Sequence, residues 1–126
     1  MKLTFNNSSP IFEQIAEVFK HEILLGNMPP GSRVKPVREL AIEYGANPNT
    51  LQRALSILES EGLFYTERTS GRFVTHDEQI IEALRDKLYK KTVQDFTKKL
   101  RCMGMHKSKA KDLIEKYWEE EDESNL

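Results

Sequence analysis

The side chains best suited to recognition chemistry in this 126-residue chain lie between Asn47 and Ser56. Leu51, Ala54, Leu55 and Leu58 recur there at i, i+3, i+4 and i+7, the spacing of one apolar helix face. At 3.6 residues per turn, Asn49, Gln52, Arg53 and Ser56 then fall on the outward side. A glutamine amide can pair with adenine in a bidentate fashion and a guanidinium with guanine, while Asn and Ser adapt to bases or phosphates. A solvated polar face of an ordinary surface helix has the same composition, so this segment takes its meaning from what flanks it.

Upstream, Arg33, Lys35 and Arg38 stand together with no acid between them. Lys35 and Arg38 fall at the start of a short helix, where a docked phosphate would be favoured by both cation and helix dipole. The competing reading for Arg38 is an exposed pair with a nearby glutamate, which contributes little energy. Downstream, Arg68-Thr69-Ser70-Gly71-Arg72 reads as a hairpin tip, and Arg68 or Arg72 could follow a phosphate or enter a minor groove. A plain charged turn is the alternative.

Other chemistries are poorly represented. His21, His76 and His106 lack metal-ligand spacing, so no metal is expected. Cys102 reads as a small buried hydrophobe or, beside Arg101, as a redox-sensitive thiol, the first being preferred. No nucleophile–base pair, glycine phosphate cradle or paired carboxylate site is visible, so neither an enzyme nor a cofactor is expected. The net charge of −1 speaks against a basic face. Residues 1–76 hold eight Lys/Arg and eight Asp/Glu, so any nucleic-acid contact must be a narrow footprint. No apolar run is long enough to span a bilayer and the first residues carry no signal-peptide pattern, which predicts a cytoplasmic protein with no membrane partner.

The elements that must position these residues follow from periodicity and punctuation. Ser9 and Pro10 fit the cap and first position of a helix carrying Ile11, Phe12, Ile15, Phe19 and Ile23. Gly26 to Gly31 ends it. A second helix is expected from about Pro36 to Tyr44, closed by Gly45, and a third from the cap Asn47 with Pro48 first. Two strand-like pieces, 63–67 and 72–75, flank the turn at 68–71. Two short helices joined by a tight turn, followed at once by a hairpin, describe a winged helix-turn-helix over residues 1–76. From Asp77 the pattern is helical again, with an apolar seam interrupted near Lys90-Lys91 and broken at Gly104. Ser108 is a candidate cap for a last helix, and the acidic run Glu119 to Glu123 is expected to fray its end. The fold class is therefore mainly α with a small β-hairpin: a winged helix-turn-helix followed by a two-helix tail, residues 77–126.

The stretch from Pro10-Ile11-Phe12-Glu13-Gln14-Ile15 to Phe73-Val74 resembles the DNA-binding domain of the GntR family of bacterial regulators. The similarity rests on Gly26 with Pro30-Gly31, Val37-Arg38-Glu39-Leu40-Ala41, Asn47 to Ala54, Leu58-Glu59-Ser60-Glu61-Gly62-Leu63 and Gly71-Arg72-Phe73-Val74. The Asn-Pro-Asn-Thr stretch and the short tail are similar to the YtrA subgroup. The resemblance implies a winged helix that binds a palindromic operator as a dimer, with Arg38 on the second helix, Asn47, Asn49, Thr50 and Gln52 on the recognition helix, and Gly71 at the wing tip. Two departures stand out. Lys35-Pro36 replaces the family's Pro-Ser, losing a serine cap, and Thr69 replaces the first of two wing glycines. The subgroup further implies a repressor of a neighbouring transporter operon and of its own gene.

Some fifty residues after the wing are too few to enclose a drug-sized pocket of roughly 300 Å³ or more within one protomer. Ile81, Leu84, Leu88, Phe96, Leu100, Leu113 and Tyr117 instead read as a homodimer interface that would space two recognition helices along DNA. The alternative is a tail folded back on its own head. A winged helix that binds protein is the second functional reading. A third is an effector-gated regulator whose unidentified small molecule sits near Tyr89, Phe96 and Trp118.

Overall fold

Apolar periodicity and Gly/Pro punctuation build seven elements, which a computed structural model describes over residues 4–120. They are α1 (Ile11–Leu24), α2 (Val37–Tyr44), α3 (Pro48–Ser60), β1 (Phe64–Glu67), β2 (Gly71–Val74), α4 (Glu78–Cys102) and α5 (Lys107–Glu120). The chain is thus mainly helical with one two-stranded antiparallel sheet. It divides into two units, the first ending at Arg85 and the second beginning at Asp86.

The first unit is built on the stripe of α1. Ile15 and Phe19 are fully buried, as are Leu51, Ala54, Leu55 and Leu58 of α3. Phe19 lies at the centre, 5.4 Å from the ring of Tyr44 and 6.0 Å from that of Phe64, so α1, α2 and β1 meet on one aromatic side chain. Each such burial contributes about 1.5–3 kcal/mol. Ile81 and Leu84, in the first two turns of α4, are also buried in this unit, at 4 % and 7 % exposure. They are therefore core residues of the head, which corrects the expectation that placed them on a dimer seam.

The local stops behave as their chemistry requires. Gly45 closes α2 in the left-handed region at φ 68°, which lets the chain reverse within two residues before α3. Asn47 caps α3, its side chain accepting from the Asn49 N–H at 2.8 Å, with Pro48 in the first turn. At α1 the expected cap is displaced by one residue. Pro10 occupies the cap position and no side chain caps the helix; the Gln14 amide instead donates to the carbonyls of Asn6 and Ser9. Pro36 likewise leaves α2 without a side-chain cap.

β1 and β2 pair Phe64 with Val74, Tyr65 with Phe73, Thr66 with Arg72 and Glu67 with Gly71. Residues 32–34 extend this hairpin on the far side of β2. Val34 N–H donates to the Arg72 carbonyl at 2.8 Å, Val74 N–H donates to the Ser32 carbonyl at 2.9 Å, and Arg33 bridges to Phe73. The wing therefore has a third, one-bridge edge contributed from between α1 and α2.

In the second unit α4 continues without a break past Lys90-Lys91, and α5 begins at Lys107. The last helix starts before Ser108, so that residue lies in its first turn and is not its cap. Of the acidic run expected to fray, Glu119 and Glu120 are helical, and residues 121–123 lie outside the described ones. Cys102 is exposed, which corrects the reading of it as a buried hydrophobe.

Candidate nucleic-acid interface

Because one side of α3 is fully buried, its opposite side is fixed in direction. Asn49, Gln52 and Ser56 are exposed there, Thr50 is half-buried, and Asn47 stands exposed at the helix start. Their amide and hydroxyl groups are the adaptable donors and acceptors that base edges and phosphates require. Asn47 is partly engaged, since its carbonyl oxygen serves the Asn49 N–H. Capping and contact with a partner thus draw on different atoms of the same side chain.

The cations divide into two groups. Arg38, one residue into α2, is exposed, and no carboxylate pairs with it among the described residues. Arg68 is likewise exposed at the turn after β1. Lys35 is paired with Glu43 at 3.0 Å, but its side chain is 60 % exposed, so this pair is weak and exchangeable. The remaining two are directed elsewhere. Arg53, although exposed, holds its guanidinium 3.9 Å from the ring centroid of Phe12, a cation–π contact that ties it to α1.

Arg72 is the clearest correction. Strand side chains alternate between faces. Val74 is fully buried, so Arg72 points to the same inner side, where its Nε donates to Glu59 Oε1 at 2.5 Å. Thr66, directly opposite in the register, donates its hydroxyl to the same oxygen at 2.5 Å. These hydrogen bonds, the Thr66 hydroxyl first, hold the Glu59 carboxyl below its ordinary range against the opposing effect of burial. Arg72 is therefore a strut between wing and recognition helix, and it is withdrawn from the set of wing-tip contacts.

The same alternation raises a residue that motif reasoning left unassigned. Gly71 and Phe73 share the outer face of β2, and Arg33 bridges to Phe73 from the third edge. Its side chain crosses Gly71, where a Cβ would stand 3.2 Å from Arg33 Nε and 3.4 Å from Nη2. Gly71 also has φ 112°, a conformation L side chains rarely adopt, so the backbone itself requires glycine there, whereas the flexible Arg33 side chain could yield a few tenths of an ångström to a Cβ. Thr69 meets no comparable demand, since no described non-glycine residue has positive φ. Ser70 lies exposed at the same turn, its N–H donating to the Glu67 carbonyl. Local sequence carries no signal for this placement of Arg33, because the strand it pairs with lies forty residues away.

The second unit carries a different surface. Tyr89, Val93, Phe96, Ile114, Tyr117 and Trp118 are exposed apolar side chains, Leu88, Leu100 and Leu113 are half-buried, and no residue of α5 is buried. Phe96, Leu100 and Ile114 contribute to a cleft of about 760 Å³ at the α4–α5 turn. The space is an open cleft and not an enclosed pocket. Among the described residues no helix is long and apolar enough to cross a membrane.

Comparison with known proteins places these observations. The profile of bacterial regulatory proteins of the gntR family matches residues 11–74, from the first helix through the wing. The transcriptional repressor YtrA of Bacillus subtilis is 42 % identical over 71 residues, which is 56 % of this chain and 55 % of that protein. A GntR family transcriptional regulator from Listeria monocytogenes superposes with a TM-score of 0.83 at 34 % identity, over 89 % of this chain and 98 % of its own. The DNA-binding domain of AraR, solved in complex with operator ORX1, is similar at a TM-score of 0.53 and 26 % identity, covering 60 % of this chain and 95 % of that one.

Proposed function

The chain belongs to the gntR family of bacterial regulatory proteins, and from that premise we propose that it is a dimeric repressor reading a palindromic operator through α3. As a member it is a DNA-binding transcription regulator with a winged-helix head. The observation that carries the finer reading is the fixed polar face of α3. Asn49, Gln52 and Ser56 stand exposed on a helix whose other side is the centre of the core, and unpaired Arg38 lies at the start of α2. In this reading Gln52 and Asn49 read base edges, while Arg38 and the backbone at the start of α3 set the register on phosphates.

Dimerisation is assigned to the tail. The apolar side chains from Tyr89 to Trp118 exceed what a small helical pair leaves in water without a partner, and a second copy is the economical cover. Leu88, Phe96, Leu100, Leu113 and Tyr117 remain interface residues in this assignment; Ile81 and Leu84 do not. YtrA is a transcriptional repressor, and our proposal extends to repression of a transporter operon and of the protein's own gene, in the cytoplasm.

The deciding experiment is a gel shift of the full chain on the DNA upstream of its own coding sequence, beside an Arg38→Ala/Gln52→Ala variant. Sequence-dependent binding that the variant loses, together with a sedimentation mass of two chains, supports the reading. Binding without sequence preference that is equal in the variant refutes the α3 assignment and favours a protein partner.

A further inference from the structure

We propose that Arg33 forms the wing's contact with a DNA backbone phosphate, a binding role set by the third edge of the wing; this rests on the operator-binding reading above. Four observations converge on it. Residues 32–34 are held to β2 by backbone hydrogen bonds on both sides of Arg33, so its Cα is fixed. Its position opposite Phe73 puts it on the outer face, whereas Arg72 is turned inward to Glu59. The missing side chain of Gly71 lets the guanidinium cross the start of β2, beside the turn that carries Arg68. No carboxylate pairs with Arg33 among the described residues, although the head uses its acids freely on other cations.

A planar fork of N–H donors, exposed, unpaired and laid along a wing, matches a phosphodiester in charge and geometry. A carbonyl or amide partner would not need the charge. A base edge would be served better by a side chain projecting from the turn itself, as Arg68 does. Phosphate contacts position a protein without reading sequence, so Arg33 is expected to add affinity for any duplex equally.

The test is fluorescence anisotropy of the full chain on two labelled duplexes, the upstream DNA and a scrambled sequence, from roughly 50 to 200 mM salt. Arg33→Ala is expected to lower the slope of log K against log salt by about 0.9 per protomer on both duplexes. That corresponds to a change of about 3.5-fold per protomer in the wild-type-to-variant affinity ratio across this range. Arg33→Lys, which keeps the charge, should recover most of the slope, and both variants should melt like the wild type because the side chain is exposed. An unchanged slope on both duplexes overturns the proposal. So does an unchanged slope accompanied by a lost preference for A·T-rich flanks, which would place Arg33 in the minor groove. Since the slope is read on scrambled DNA as well, a wild type without sequence preference would sink the operator reading while leaving the Arg33 result intact.

Discussion

Replacing Arg72 with alanine separates a structural arginine from a DNA-contacting one. Its side chain is 18 % exposed and that of Glu59 is 32 % exposed, so the pair lies between surface and core. Surface pairs are worth about 0.2–1 kcal/mol, and hydrogen bonds to charged groups about 1.5–3 kcal/mol. Glu59 keeps the Thr66 hydroxyl after the substitution, which limits the loss. A destabilisation of about 1.5 kcal/mol follows, equivalent to roughly 6–12 °C in Tm for a unit of this size. Thermal melting by circular dichroism reads this directly, and Thr66→Val should lose part of the same increment. On DNA, Arg72→Ala should keep the wild-type salt slope below its melting temperature. A variant that melts like the wild type while its slope falls by about 0.9 per protomer would show that Arg72 reaches phosphate, and the strut assignment would be wrong.

Three further outcomes are expected. Asn47→Ala should destabilise the head by about 1 kcal/mol through loss of the α3 cap, and Asn47→Asp should not, as chemical denaturation would report. The pH dependence of stability should have two limbs. Glu59, depressed when folded, contributes above its ordinary value of 4.5 and loses that contribution as acid protonates it, so Glu59→Gln should flatten the acid limb. Tyr44, pushed up to about 12 mainly by burial, contributes fully below pH 10 and loses that contribution as pH rises toward 12, so Tyr44→Phe should flatten the alkaline limb. Finally, Arg33, Arg38 and Arg68 in each of two protomers set a total salt slope of about 5. A slope near 10 would require cations beyond these three.

Much of the fold was legible because its signals are local. Asn47-Pro48, Gly45 and the Leu51-Ala54-Leu55-Leu58 stripe each specify their element within a few residues, and all three act as read. The errors have two physical sources. Arg72 stands next to the tip in sequence, but the period-two alternation through buried Val74 turns it inward. Ile81 and Leu84 were assigned to a tail because periodicity reveals an apolar stripe and not what covers it. Arg33 and Arg53 belong to neither class. The first is placed by a bridge to residue 73 and the second by the ring of Phe12, and pairings across forty residues leave no mark in local sequence.

The internal pairings also account for a DNA-binding head in a chain of net charge −1. Acids in this head neutralise particular cations. Glu17 and Glu61 hold Lys20, Glu59 holds Arg72, Glu43 holds Lys35 and Glu82 holds Arg85. Arg53 is turned onto Phe12. Among the described residues of the head, that leaves Arg33, Arg38 and Arg68 with neither a carboxylate nor a ring partner, on the third edge of the wing, the start of α2 and the wing turn. Net charge sums over all of these and therefore misses the selection. A few unpaired cations give a local potential strong enough to attract phosphate at short range, while beyond about 8–10 Å screening leaves little field from the paired ones. Such a head binds through placement more than through bulk charge, and it should hold non-specific DNA weakly, leaving the polar face of α3 to decide where the protein stays.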